Sequence, residues 1–248
     1  MSGLQVAFIL ASGLFAGMVN AIVGSGSLLT FPVLLAVGYS PVVANVSNTV
    51  GMAFGNVSGV VGYRRELAGQ RARVIGLAVP AGLGAATGAL LLLALPETVF
   101  HQVVPVLVIF AVALVIAQPW LSKRLAVHRD RPYSAWALRL GVFLTAIYGG
   151  YFGAAQGVIL VGIMGLLLSD DLQRINGLKN VVAAIVNGVA AVLFVLLAHV
   201  AWLPAVLLAV SSVVGGQLGA AVGRRLSPGV LRAVIVVGGL VAVVKLLA

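Results

Sequence analysis

The chain has 248 residues, 62% of them hydrophobic and 8% charged, and a formal net charge of +10. Soluble domains carry roughly 45–50% apolar and about 25% charged residues, so this composition excludes a soluble fold. The basic excess does not mark a nucleic-acid binder, because Lys and Arg lie in short loops between apolar runs, the positive-inside pattern of membrane proteins.

Residues 1–17 lack a basic leader and a cleavage site, and read as mature protein rather than a signal peptide. Eight apolar segments follow, at approximately 4–38, 42–62, 74–95, 99–120, 137–168, 174–198, 202–223 and 229–247. A spanning helix needs about 20 mostly apolar residues. Stretches such as 103–118 and 230–248 are apolar on every face, which selects helices over an alternating β-barrel pattern. The expected fold is an all-α, polytopic integral membrane protein.

The first segment is over-long. As one straight helix, 4–38 would measure about 52 Å, against a hydrocarbon core of about 30 Å. It is too short for two full spans. Asn20, Gly24, Ser25, Gly26 and Ser27 weaken its middle, so it is expected to break, most simply as a re-entrant hairpin of two half-helices. The second segment carries Asn45, Ser47, Asn48 and Asn56, and the loop after it is basic. After two plain apolar segments comes the longest polar interruption, 121–136, with Lys123, Arg124, Arg129 and Arg131.

The pattern then recurs. Segment 137–168 is again over-long, with Gly149, Gly150, Gly153, Gln156 and Gly157 at its middle. Segment 174–198 carries Asn176, Lys179, Asn180 and Asn187. Asn48 and Asn180 align at a spacing of 132, and Gly24-Ser25-Gly26 aligns with Ala155-Gln156-Gly157 at 131. The chain therefore divides into a first membrane repeat (1–120), a basic cytoplasmic loop (121–136) and a second membrane repeat (137–248). If both long segments re-enter, each half crosses three times and the repeats are inverted. All basic clusters then fall inside and both termini outside.

Irregular backbone at membrane depth is tolerated only where it is buried in protein or lines a cavity. The breaks are thus the first candidates for a substrate site. A half-helix starting there presents unpaired N–H groups and partial positive charge, which suits an anion. The candidate binding residues are Gly24, Ser25, Gly26, Ser27, Asn48, Gln156, Gly157, Lys179 and Asn180. Lys179 is the one basic residue well inside an apolar segment, where ionisable groups are functional candidates by default. Each has a plainer alternative: helix packing for glycines spaced by four, interhelical hydrogen bonds for the amides, and snorkelling to the interface for Lys179. The four-residue glycine spacing also leaves a homodimer open.

The acids Glu66, Glu97, Asp130, Asp170 and Asp171 and the three histidines lie at segment ends or in loops, and cysteine is absent. No buried carboxylate relay, metal-ligand cluster or GxxxxGK[ST] loop occurs. The expectation is a protein that is not an enzyme and uses no metal or cofactor.

The run Gly17-Met18-Val19-Asn20-Ala21-Ile22-Val23-Gly24-Ser25-Gly26-Ser27, followed by Phe31-Pro32-Val33-Leu34 and Gly38, carries a family resemblance. Its counterpart is Tyr148-Gly149-Gly150-Tyr151-Phe152-Gly153-Ala154-Ala155-Gln156-Gly157. With the two-half plan and basic central loop, the chain resembles the sulfite exporter TauE/SafE family of bacterial anion permeases. Ser25 and Ser27 stand where the family usually has glycines. The resemblance implies a multi-pass protein of the bacterial inner membrane that carries sulfite, organosulfonates or related small anions. A permease for another small organic anion, an anion channel and a non-transporting assembly factor are the other readings.

Overall fold

The computed structural model describes residues 1–126, 134–222 and 228–247. Among these residues there are ten α-helices and no strand. They are α1 (Gly3–Ile22), α2 (Ser27–Val37), α3 (Pro41–Gly62), α4 (Arg71–Ala94), α5 (Glu97–Ala126), α6 (Ala135–Tyr151), α7 (Gln156–Leu167), α8 (Leu172–Leu197), α9 (Trp202–Val222) and α10 (Pro228–Leu247). Five of them, α1, α4, α5, α8 and α9, are long and apolar enough to cross a membrane. Helix enters the stretch 121–136 from both sides, since α5 runs on to Ala126 and α6 starts at Ala135. The basic pair Arg224 and Arg225, between the last two apolar segments, lies outside the described residues.

Helix starts follow local chemistry. Ser2 and Gln5 form a reciprocal capping box on α1. Pro41, whose missing N–H costs nothing there, opens α3. The Asp171 carboxylate accepts from the N–H groups of Gln173 and Arg174 at the start of α8.

Both over-long segments break where the sequence predicts. Gly24 (φ 83°) lies between α1 and α2, and Gly153 (φ 75°) between α6 and α7. Each glycine stands two residues after one helix and three before the next. The matching pair is therefore Gly24 and Gly153, 129 apart, which corrects the 131-residue register read from the sequence. The offset grows afterwards because α7 (12 residues) is longer than α2 (11 residues), and the turn after it is longer too. By the starts of α3 and α8, at Pro41 and Leu172, it has reached 131.

Each broken segment folds back on itself. Gly26 packs against Ala16 and Asn20 of α1, and the Tyr39 hydroxyl beyond α2 reaches the Met1 sulfur at 3.6 Å. In the second hairpin Gly141 of α6 faces Ile163 of α7. Each hairpin thus begins and ends at the same end of the molecule. Asp170, just after α7, pairs with Arg73 at the start of α4 and with Arg174 at 3.2 Å. Arg139 of α6 lies beside Gly76 of α4, and Gly62 at the end of α3 meets Ala220 of α9. The basic stretch 63–73, the start of α6, the turn after α7 and the end of α9 therefore share one end.

Glycine lets the helices approach to backbone contact, as membrane helices need when lipid is as apolar as leucine. A Cβ on Gly17 of α1 would strike the Ser212 backbone of α9, and Gly215 and Gly219 of α9 press on Leu14 and Met18. Gly84 and Gly88 of α4 meet the Phe143 and Ile147 carbonyls of α6, and Gly150 meets Ala85. For these glycines the packing reading holds. The contacts also come in matched pairs. α1 packs on α9 as α6 packs on α4; α9 on α3 as α4 on α8; α2 on α10 as α7 on α5; and α3 meets α8 as α5 meets α10. All eight of these contacts join the first half of the chain to the second.

Substituting Gly17→Leu would drive a side chain into the Ser212 backbone. Overpacking of this kind costs about 1–3 kcal/mol, so the thermal midpoint in detergent should fall by several degrees. Gly188→Ala, whose Cβ would meet nothing within 4 Å, should leave it unchanged or raise it. Equal behaviour of the two variants would remove the close α1–α9 contact as a source of stability.

Candidate functional site

The two hairpin tips meet. Gly157 N donates to Gly24 O at 3.0 Å, and the backbones are so close that a Cβ on either glycine would collide with the other residue. Neither position has room for a side chain, and Gly24 also needs its left-handed φ.

A chain of amides fixes the first tip. Gly26 N donates to Asn20 Oδ1 at 3.3 Å, Asn20 Nδ2 donates to Asn56 Oδ1, and Asn56 Nδ2 donates to Ala183 O at 3.5 Å. This ties the break to α1, α3 and α8. Asn48 holds the start of α2: its Nδ2 donates to Ser27 Oγ at 3.0 Å, and its Oδ1 accepts from the Thr30 hydroxyl.

Lys179 does not snorkel. It is 0% exposed, and its Nζ donates to Asn20 O at 3.0 Å and Ala21 O at 3.1 Å. Asn180 Nδ2 donates to Ala21 O as well, at 3.2 Å. These are late carbonyls of α1, four-odd of which have no partner within any helix, and the helix C-terminus favours a cation. At the second tip the same task falls to neutral groups. Asn45 Nδ2 donates to Tyr151 O at 2.9 Å, and the Tyr148 hydroxyl donates to Ala154 O at 2.5 Å.

Donors at the tips are left over as well. Among the described residues, no backbone or side-chain acceptor takes the N–H groups of Ser25, Ser27, Ala154 and Ala155. Ser25 Oγ and Gln156 Oε1 have no hydrogen-bond partner either, though Ser25 is 1% and Gln156 3% exposed. Such orphans call for an explanation. Since α2 and α7 both begin here, two helix N-termini face the same region.

All nine residues singled out from the sequence thus lie on or against the two tips. Gly24, Ser25, Gly26, Gln156 and Gly157 form them; Ser27 and Asn48 brace the start of α2; Lys179 and Asn180 cap α1. Sequence reasoning undervalued Asn20 and Asn56, although both are amides in apolar segments, and Asn45, which reaches the opposite tip. It missed Thr30, which gives no signal beyond its place one turn after Ser27.

The model of the family described as "Sulfite exporter TauE/SafE" matches residues 9–246. The protein named "Probable membrane transporter protein YfcA" of Escherichia coli K12 is 27% identical over 238 residues, covering 94% of this chain and 86% of that one. A "Probable membrane transporter protein" of Haemophilus influenzae Rd is 26% identical over 215 residues, with 87% and 84% covered. "Probable membrane transporter protein ORF9" of a Sinorhizobium species is 26% identical over 251 residues, with 98% and 92% covered. No solved structure matches the chain. The family match runs through both hairpins and across both halves, and the chain belongs to the sulfite exporter TauE/SafE family.

Proposed function

We propose that the chain is a secondary transporter of small anions, with sulfite or an organosulfonate as the class to which the family name points. One observation carries this reading. The two tips bring together two helix N-termini with unused N–H groups and unpartnered Ser25 and Gln156 side chains. The one fully buried cation among the described residues, Lys179, caps the first of these breaks. Helix N-termini and broken helices at the repeat interface are a recurrent way of holding anions in transporters. Turning the Gln156 amide presents its NH₂ in place of its oxygen. The relatives' names, all membrane transporters, support the same class.

In this reading the hairpins are re-entrant, the halves are inverted repeats, and the basic end faces the cytoplasm of a bacterial inner membrane. The backbone contact between Gly24 and Gly157 favours a carrier over an open channel. The bodies that move draw helices from both halves, because α1, α3 and α9 interlock, as do α4, α6 and α8.

Two measurements test this. Purified protein should bind at least one of sulfite, thiosulfate and methanesulfonate more tightly than acetate. Ser25→Ala should weaken that binding by roughly tenfold or more, as expected for a hydrogen bond to a charged partner. It should not lower thermal stability, since it removes a buried hydroxyl that has no partner in the protein. If none of these anions binds, the transporter reading falls. For topology, periplasm-active reporters fused at either terminus should be active, and cytoplasm-active reporters in 63–70 should be active. A terminus found inside would exclude the double re-entrant arrangement.

A further inference from the structure

We infer that Lys179 couples transport to a proton, so that one proton accompanies each monovalent anion. The inference rests on the transporter reading above and adds the coupling ion to it.

The argument begins with a count of donors. Lys179 Nζ has two hydrogen-bond acceptors, the carbonyls of Asn20 and Ala21, and the side chain is 0% exposed. A neutral amine has two N–H groups, and these two carbonyls satisfy both. A protonated amine has three. The third N–H and the full positive charge therefore have no partner in the empty site.

The helix end does not make up the difference. The C-terminus of α1 supplies only about half a negative charge. No ion pair joins Lys179 to a carboxylate among the described residues. The helices packed on α8 offer none close by. α1, α3 and α7 contain no charged side chain, α4 brings Arg71 and Arg73 at its start, and α6 brings Arg139, Tyr148 and Tyr151. On α8 itself Arg174 sits in the first turn, and Asp171 caps that turn. Asp170 is taken by Arg73 and Arg174. Glu66 lies against Gly177, two positions from Lys179 and so about 200° around the helix.

An isolated charge at this depth is costly unless something pairs with it. Two states avoid the cost. In the loaded site Lys179 is an ammonium, and its third N–H points at the anion. In the empty site it is an amine held by the two carbonyls. Alternation between them defines the cycle. On the side of uptake, the Nζ lone pair takes a proton from water and the anion enters. On the side of release, the anion leaves, an N–H bond breaks, the electron pair stays on Nζ and the proton passes to water. The empty carrier returns without net charge.

The full chain in proteoliposomes tests this, with labelled methanesulfonate and sulfite as probes. Methanesulfonate is a permanent monoanion, so any proton that moves with it is carried by the protein. The expected result is that methanesulfonate uptake acidifies the vesicle interior, read by an entrapped pH dye, and is indifferent to a valinomycin-imposed potential. Sodium-free buffer should make no difference.

Lys179→Arg gives the sharper contrast, because a guanidinium keeps its proton. Exchange of labelled for unlabelled anion needs no empty return, so whatever exchange the variant retains, its ratio of net uptake to exchange should fall by about tenfold or more relative to the parent. If the variant fails to fold, the dye measurement on the unaltered protein decides alone. Anion uptake that moves no proton, or net uptake by Lys179→Arg equal to its exchange, overturns the coupling and leaves the transporter standing. Absence of any anion flux overturns both.

Discussion

A helix interrupted inside apolar surroundings must find partners for the backbone groups it frees, and the rest of this molecule is arranged around that constraint. The two breaks release carbonyls from the ends of α1 and α6, and N–H groups at the starts of α2 and α7. Protein groups take some of the carbonyls: Lys179 and Asn180 for α1, Asn45 and Tyr148 for the second break. The N–H groups are only partly taken, by Asn20 on Gly26 and by Gly24 on Gly157. The N–H groups left over lie at the starts of α2 and α7, where the helix dipoles add partial positive charge. The anion proposed above rests on the family name and on the chemistry of the unused groups, two grounds that do not depend on each other.

The same constraint explains why the halves of the chain do not form separate bodies. Each break is braced by the other half: α8 caps α1, and α3 caps α6. Glycine contacts then close α9 against α1 and α6 against α4. Rocking of residues 1–120 as a block against 137–248 would pull these backbone contacts apart. It would also strip Lys179 from its carbonyls. The glycine contacts are kept if α1 moves with α9 and α3, and α6 with α4 and α8, as mixed bodies, and the caps from α8 to α1 and from α3 to α6 then cross between them. The contact between Gly24 and Gly157, held by one hydrogen bond, is the seam such bodies would share.

Much of this was legible in the sequence because it depends on spacing along one chain. An apolar run of 35 residues with Gly24-Ser25-Gly26 in its middle cannot be one helix in a bilayer, and the break falls there. Glycines four apart mark close helix contacts, and Gly13, Gly17, Gly215 and Gly219 make them. Partners between helices were not legible. An amphipathic helix shows which face is buried, but a helix apolar all round does not. Nothing local said that Lys179 would turn to α1 rather than to the interface, or that Asn45 would serve the far hairpin. The register of the breaks was misread for a related reason. The extra residues of α7 and its following turn raise the offset from 129 at the glycines to 131 in α3 and α8, and the 132 read from Asn48 and Asn180 is one residue too long.

The departures from the two-half plan are where the chemistry is specific. At the 131-residue offset between the starts of α3 and α8, Lys179 of α8 corresponds to Asn48 of α3. Asn48 is a neutral amide that holds the start of α2, with its Nδ2 donating to Ser27 Oγ at 3.0 Å. A frame with two equivalent breaks thus carries a buried cation at only one of them among the described residues. Had both positions been lysine, two like charges would lie buried at adjacent tips, and each would raise the cost of the other. Had neither been, the unused N–H groups alone would face the anion with partial charges. In the proposed cycle one lysine supplies one full charge, which matches one monovalent anion and leaves the loaded site neutral. The neutral amides at the second break then serve geometry, holding α6 and α7 in place while the charge stays at the first. The matched helix contacts account for the scaffold, and the one lysine among them is what the proposed valence rests on.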